Sequence, residues 1–233
     1  MTRSPIVAID GPAGAGKSTV ARHLAQHFGL LNLESGAMYR AFALKALRGD
    51  YDFDDSPALE RLARSTEITL EADRAGSRVS LDGEDVTERI RDSDVTQGAS
   101  RVSVHPAIRA WMVDLQRALG RNGGVVMEGR DIGTVVFPDA DVKVFLDASP
   151  EARSQRRYEQ NASPSVPAAS TDRSAVSQAL RERDERDRNR ANSPLRPAPD
   201  AVVIDSTQLT LEQVLTRIED LVRPLFAKQI VAQ

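Results

Sequence analysis

Gly11-Pro12-Ala13-Gly14-Ala15-Gly16-Lys17-Ser18 follows the spacing G-x-x-x-x-G-K-[ST], and each residue type in it has work to do around phosphate. Glycines let successive backbone N–H groups turn inward around phosphate oxygens, where a Cβ would obstruct them. A helix opening at Gly16–Lys17 adds partial positive charge at its N-terminus. Lys17 can reach β- and γ-phosphates, and the Ser18 hydroxyl can ligate Mg²⁺. The expected nucleoside-triphosphate site is Gly11, Pro12, Ala13, Gly14, Ala15, Gly16, Lys17, Ser18 and the adjoining Thr19. Such a loop serves switches, motors and kinases alike. No Asn/Thr-Lys-x-Asp run of the guanine-reading kind is present, so other residues must decide among them.

Three further segments offer charge for an acceptor. Gly129-Arg130-Asp131-Ile132-Gly133-Thr134 follows a strand ending at Glu128, and Glu34-Ser35-Gly36-Ala37-Met38-Tyr39-Arg40 follows an earlier strand. Ligands of open α/β sheets gather at the carboxyl ends of strands, where both segments must lie. The third segment is Arg181-Glu182-Arg183-Asp184-Glu185-Arg186-Asp187-Arg188-Asn189-Arg190. It reads as a solvated helix with Glu182→Arg186 and Asp184→Arg188 pairs in the favourable acid-first order. Yet Arg183, Asp187 and Arg190 stand at i, i+4 and i+7, share one face, and are not needed for those pairs. Mobile guanidinium groups closing over a transferring phosphoryl group would use such a face, as a lid.

The elements that position these residues follow from periodicity. Ile6–Ile9 is a buried strand running into the turn Asp10-Gly11-Pro12. A helix from about Gly16 buries Val20, Leu24 and Phe28 and stops at Gly29; Leu30–Leu33 is a second strand, and Tyr39–Leu47 a second helix. Past Pro57 the period becomes two: Ile68 and Leu70, then Val79 and Leu81, alternate about an Asp73-Arg74-Ala75-Gly76 turn. Residues 66–90 are therefore expected to form a small antiparallel insertion. Pro106 opens a helix with Ile108, Trp111, Met112, Leu115 and Leu119 on its core face. Gly124–Met127, Val142–Leu146 and Ala201–Ile204 are strands of parallel type, and Leu211–Leu225 is a closing helix whose last residues fray. Residues 161–170, rich in Ser, Pro and Ala, are expected to be a flexible loop. Five short strands alternating with helices make an α/β fold, a doubly wound parallel sheet.

Composition narrows the function classes. A formal charge of −3 excludes a general nucleic-acid or membrane surface, and the absence of cysteine excludes disulfides and thiolate chemistry. No signal peptide or membrane-length apolar run is visible, so a cytoplasmic protein is expected. His23 and His27 are four apart on a helix but lack the Glu and third ligand of a zinc motif, and are read as ordinary helix positions.

Together these segments resemble the bacterial cytidylate (CMP) kinases of the nucleoside-monophosphate kinase family. The resemblance rests on Ile9-Asp10-Gly11-Pro12, Ser35–Arg40, Gly129–Pro138, Val142–Ala148 and Glu182–Arg190, in order over nearly the whole chain. It implies a P-loop fold with a five-stranded parallel sheet in the order 2-3-1-4-5. It also implies a core of about 1–65, 96–150 and 191–233, a monophosphate-binding insertion at about 66–95 and an Arg-rich helical lid at about 151–190. The implied reaction is ATP + CMP (or dCMP) ⇌ ADP + CDP (or dCDP) with Mg²⁺, by a chain expected to be monomeric. By position, Ser100, Arg109 and Asp131 would read the cytosine, with Ser35 and Asp187 facing the pentose. Arg40, Arg130, Arg183 and Arg190 would hold phosphates, the last three with Lys17 as catalytic cations. Glu34 and Glu128 stand where the family often has Asp; Glu128 would support Mg²⁺ through water. Two other readings stay open: a kinase of UMP or AMP, and a P-loop regulator that hydrolyses ATP slowly without an acceptor.

Overall fold

The computed structural model describes residues 3–72, 77–161 and 172–230. Its central sheet is built from β1 (Ile6–Asp10), β2 (Leu31–Glu34), β6 (Val125–Gly129), β7 (Val142–Asp147) and β8 (Val202–Asp205). They lie in the order β2-β6-β1-β7-β8, every neighbouring pair parallel. Counted along the chain, that is the expected 2-3-1-4-5. Because side chains alternate across a strand, Ile6 and Ala8 of β1 enter one core while Val7 and Ile9 enter the other. The first core lies under α2 (Ser35–Arg48), α4 (Ser93–Val102) and α5 (Pro106–Leu119). The second lies under α1 (Lys17–Phe28) and α8 (Leu211–Ile230). Edge strand β8 departs from the buried-strand expectation, since Val202 and Val203 are exposed. A strand with one neighbour has one side to fill.

Several elements differ from the expected ones. α2 begins at Ser35, directly on the end of β2, so Ser35 and Gly36 form a helical first turn rather than a loop. A helix, α3 (Ser56–Arg64), occupies the stretch around Pro57; Asp55 caps it by accepting from the Ala58 N–H at 3.0 Å, and proline suits a first turn that has no hydrogen bond to lose. The insertion has three strands, β3 (Ile68–Ala72), β4 (Ser77–Leu81) and β5 (Glu84–Asp85). The extra hairpin turns at Asp82-Gly83, both with positive φ, a dipeptide whose turn chemistry was legible. Ile68 faces Leu81 and Leu70 faces Val79, and all four sink into the first core. The Asp73–Gly76 turn, residues 162–170 of the Ser/Pro/Ala-rich stretch and the chain's last three residues lie outside the described residues, while Asn161 ends a helix. Flanking that stretch are α6 (Pro150–Asn161) and α7 (Arg173–Asn189).

Candidate active site

The phosphate loop leaves β1 at Gly11, whose φ of 147° is open only to glycine; a Cβ there would stand 2.0 Å from the Leu146 carbonyl oxygen of β7. Gly16 caps α1 in the left-handed region, and Lys17 is the first helical residue. Lys17 is buried, and its Nζ donates to the Pro12 carbonyl at 2.8 Å. Burial, helped by the nearby Arg130 guanidinium and opposed by Glu128, lowers its pKa to about 7. Just upstream, the Asp10 carboxylate accepts from the Ile132 and Gly133 N–H groups at 2.8 and 2.7 Å. That clamp opens the π-helical turn Ile132–Val136 and holds the Arg130-Asp131 pair against the phosphate loop. Its burial raises Asp10 to about 6 despite those two donors.

At the carboxyl ends of β2 and β6 two acidic residues meet the loop. Near the Ser18 hydroxyl, the Glu128 carboxyl is pushed up by burial and then by the neighbouring Glu34. Glu34 goes the other way: burial opposes its ionisation, but Arg40 at 2.7 Å holds it below the usual range. Ser35 donates to the Glu128 carbonyl at 2.7 Å, which ties the first turn of α2 to β6.

A second cluster brings distant residues together. Arg109 of α5 forms a buried ion pair with Asp131, and also donates to the Ser103 carbonyl at 3.3 Å. Arg130 donates through Nε to Asp187 at 2.8 Å, and Arg190 reaches the same carboxylate at 3.6 Å. Burial works against ionisation of Asp187, but these arginines and Arg183 hold it low. Arg183 itself has no carboxylate within ion-pair distance among the described residues; burial and the charge of Arg130 bring it down to about 10. Arg190 is not on the helix: it is the extended residue after α7, yet it still shares Asp187 with Arg130.

The expected Glu182–Arg186 and Asp184–Arg188 pairs do not form. Asp184 instead pairs at 2.6 Å with Arg153 of α6, and both are buried. Arg153 also donates to the Ala13 carbonyl at 3.1 Å, so it joins the phosphate loop to α7. Arg186 donates to the Ser100 hydroxyl at 3.0 Å, and Glu182 accepts from Gln178. Helical spacing allowed the local pairs; burial against α6 and α4 favoured the distant ones.

One cleft of about 690 Å³ is lined by both clusters. Of the residues expected at the site, all but Gly11 and Pro12 line it; those two open the loop, with Gly11 against Leu146 of β7. Arg91, Arg156 and Arg157 also line it. They were missed because nothing in their local pattern sets them apart from surface arginines. Several guanidinium N–H groups in the wall are buried without a hydrogen-bond acceptor among the described residues: Nε of Arg40, Nε of Arg109, and Nε and Nη2 of Arg190. Buried donors left unpaired cost about 1–3 kcal/mol each, more when charged, which is the signature of a site awaiting anionic or carbonyl oxygens.

The family model described as "Cytidylate kinase" matches residues 7–224. Among curated proteins, the chain is 51% identical over 219 residues to "Cytidylate kinase" of Pelotomaculum thermopropionicum, covering 94% of this chain and 96% of that one. It is 49% identical to the protein of the same name in Solibacter usitatus (94% and 92% covered) and 46% identical to that of Geobacillus kaustophilus (95% and 98% covered).

Proposed function

Because the chain belongs to the cytidylate kinase family, we propose that it transfers the γ-phosphoryl group of ATP to CMP or dCMP, giving ADP and CDP or dCDP. The observation that carries this reading is a single cleft lined both by the phosphate loop and by the buried Arg109–Asp131 pair. A cytosine offers an N4 amine donor beside N3 and O2 acceptors; Asp131 is the acceptor for the amine, and Arg109 and Ser100 donate to the base. UMP presents a carbonyl where the amine would be, and the Asp131 carboxylate repels it.

The loop N–H groups and Lys17 bind the β- and γ-phosphates of ATP, while Arg40 and Arg130 orient the acceptor phosphate. An acceptor phosphate oxygen attacks the γ-phosphorus, the bond to the bridging β–γ oxygen breaks, and ADP leaves with that electron pair. No protein nucleophile takes part. Arg183 and Arg190 meet the charge that grows on the transferring group. Ser35 and Asp187 face the pentose, and Asp187 keeps Arg130 and Arg190 aimed meanwhile. The oxygen donors of Ser18, Glu128 and Glu34 suit Mg²⁺; Ser18 would hold it directly and Glu128 through water. When bound, it neutralises charge on the β- and γ-phosphates.

The insertion at about 66–95 serves acceptor binding, and α6 and α7, within about 151–190, act as the lid, with 1–65, 96–150 and 191–233 as the core. Coupled ADP release across CMP, dCMP, UMP, AMP and GMP tests the reading. Turnover is expected to be fastest with the two cytidylates, and Asp131→Ala to narrow the CMP-to-UMP preference. Equally slow turnover with every acceptor would return the chain to a regulator's role; a preference for UMP or AMP would make it a different kinase.

A further inference from the structure

Away from the cleft, the packing of α8 on α1 completes a group of ligands that the local sequence leaves incomplete. His23 and His27 are one helical turn apart on α1, their rings stacked with centroids 5.8 Å apart. Glu219 of α8 brings its carboxylate to His23 Nε2 at 2.5 Å. One ligand atom from each of the three lies within 4.8 Å of the others. We propose that His23, His27 and Glu219 form a binding site for a divalent transition ion of the zinc class, which staples α1 to α8.

The donor set argues for the class of ion. Two neutral imidazoles and a carboxylate suit zinc and its first-row neighbours, whereas Mg²⁺ and Ca²⁺ take oxygen ligands. Three protein ligands leave a tetrahedral ion one position for water, and His27 is exposed enough to admit it. Bonds of about 2.0–2.1 Å in a tetrahedron separate ligand atoms by roughly 3.4 Å, so the direct His23–Glu219 contact has to open by about 1 Å. Rotation of the half-buried Glu219 carboxylate or His23 ring supplies that. The second Glu219 oxygen faces Arg223 at 3.4 Å, which leaves the oxygen facing His23 free to ligate and steadies the carboxylate's orientation. Beside the site, Phe28 of α1 stacks on Phe226 of α8 at 5.0 Å, so the two helices already hold the ligands at a set spacing. The site stands on α1, whose first turn carries Lys17 and Ser18, and an ion would fix that helix against the C-terminal one.

The chain has three histidines, which makes the test clean. His105 lies elsewhere, with its Nε2 2.7 Å from the Phe53 carbonyl oxygen. The untagged full-length chain, stripped with chelator, is titrated with Zn²⁺ while the imidazole NMR signals are followed, and with Co²⁺ while the visible spectrum is recorded. One-to-one binding is expected, with His23 and His27 signals moving, His105 still, and the absorption of four-coordinate cobalt. Zn²⁺ is expected to raise Tm, and His27→Ala and Glu219→Gln each to weaken binding by more than the roughly 10- to 100-fold that loss of an outer-shell partner costs. Absent saturable binding, movement of His105 alone, or unchanged affinity in both variants would overturn the proposal and leave His23–Glu219 as a plain interhelical hydrogen bond.

Discussion

Two regions of this molecule carry ion pairs of nearly the same length. On the insertion and where it meets α2, Arg78–Asp85 spans 2.7 Å, Arg89–Asp94 2.7 Å, and Arg48–Glu84 2.6 Å; around the cleft, Arg130–Asp187 spans 2.8 Å and Arg153–Asp184 2.6 Å. Their surroundings differ. The Arg78 and Asp85 side chains are 63% and 43% exposed, those of Arg153 and Asp184 only 3% and 8%. In water such a pair is worth about 0–1 kcal/mol, because solvent screens it and both side chains lose freedom. Out of water the pair is expensive to assemble, and removing one partner strands the other. Distance therefore says little about what a pair does. Exposed pairs keep the insertion solvated, whereas the buried Arg130–Asp187 pair holds a guanidinium group in the cleft wall and Arg153–Asp184 ties α6 to α7.

The largest break expected is at the one buried lysine of the cleft. Lys17→Ala is expected to lower kcat by roughly 10³-fold or more while circular dichroism and Tm stay near those of the parent, since the lost charge acts on phosphate rather than on packing. Near-normal turnover would move the ATP site elsewhere. Asp184→Ala, which leaves the buried Arg153 guanidinium with carbonyl partners but no carboxylate, is expected to destabilise the fold by about 3–5 kcal/mol in urea unfolding, while Arg78→Ala, which removes only an exposed pair, is expected to move the urea midpoint little. Similar losses at the two sites would mean that burial is not what separates the regions.

Arg183 sharpens the contrast within one helix. Arg183→Ala is expected to reduce kcat by about 10²- to 10³-fold with smaller changes in either KM, and the exposed Arg188→Ala to leave both within about twofold. Steady-state kinetics with CMP at saturating ATP separates them; equal small effects would return the helix to a solvated charged surface. The smallest effect expected is a proton. Burial holds Lys17 near 7, and phosphate oxygens push it back up on binding. At about pH 8 a lysine mostly neutral in the free chain becomes charged in the complex, so ATP binding takes up at most one proton. Calorimetry in buffers of different ionisation enthalpy measures this, and Lys17→Ala is expected to abolish the uptake. Proton release, or none, would mean that Lys17 does not face the phosphates.

Much of this was legible without coordinates. A phosphate loop is a local device: its glycines, lysine and serine act within eight successive residues, so spacing alone announced it. Strands announced themselves where both faces are buried, as in β1, β6 and β7, because an apolar run has no other use for its length. Position by family resemblance also brought Ser100, Arg109 and Asp131 to one place, where they line the cleft together.

What the chain's order could not reveal is which charge meets which. Asp184 had a partner four residues away and took one thirty-one residues back, because Arg153 offers a buried, hydrogen-bonded site and Arg188 only solvent. Arg190 kept its place near Asp187 after leaving the helix whose periodicity had suggested it. Asp10 read as the end of a strand and turned out to clamp the Arg130–Asp131 segment, and Glu219 reached His23 across two helices. Local sequence determines periodicity, caps and loops, since those depend on neighbours within a few residues. Pairing of buried charge depends on which surfaces exclude water, and that is decided only when the helices close on the sheet.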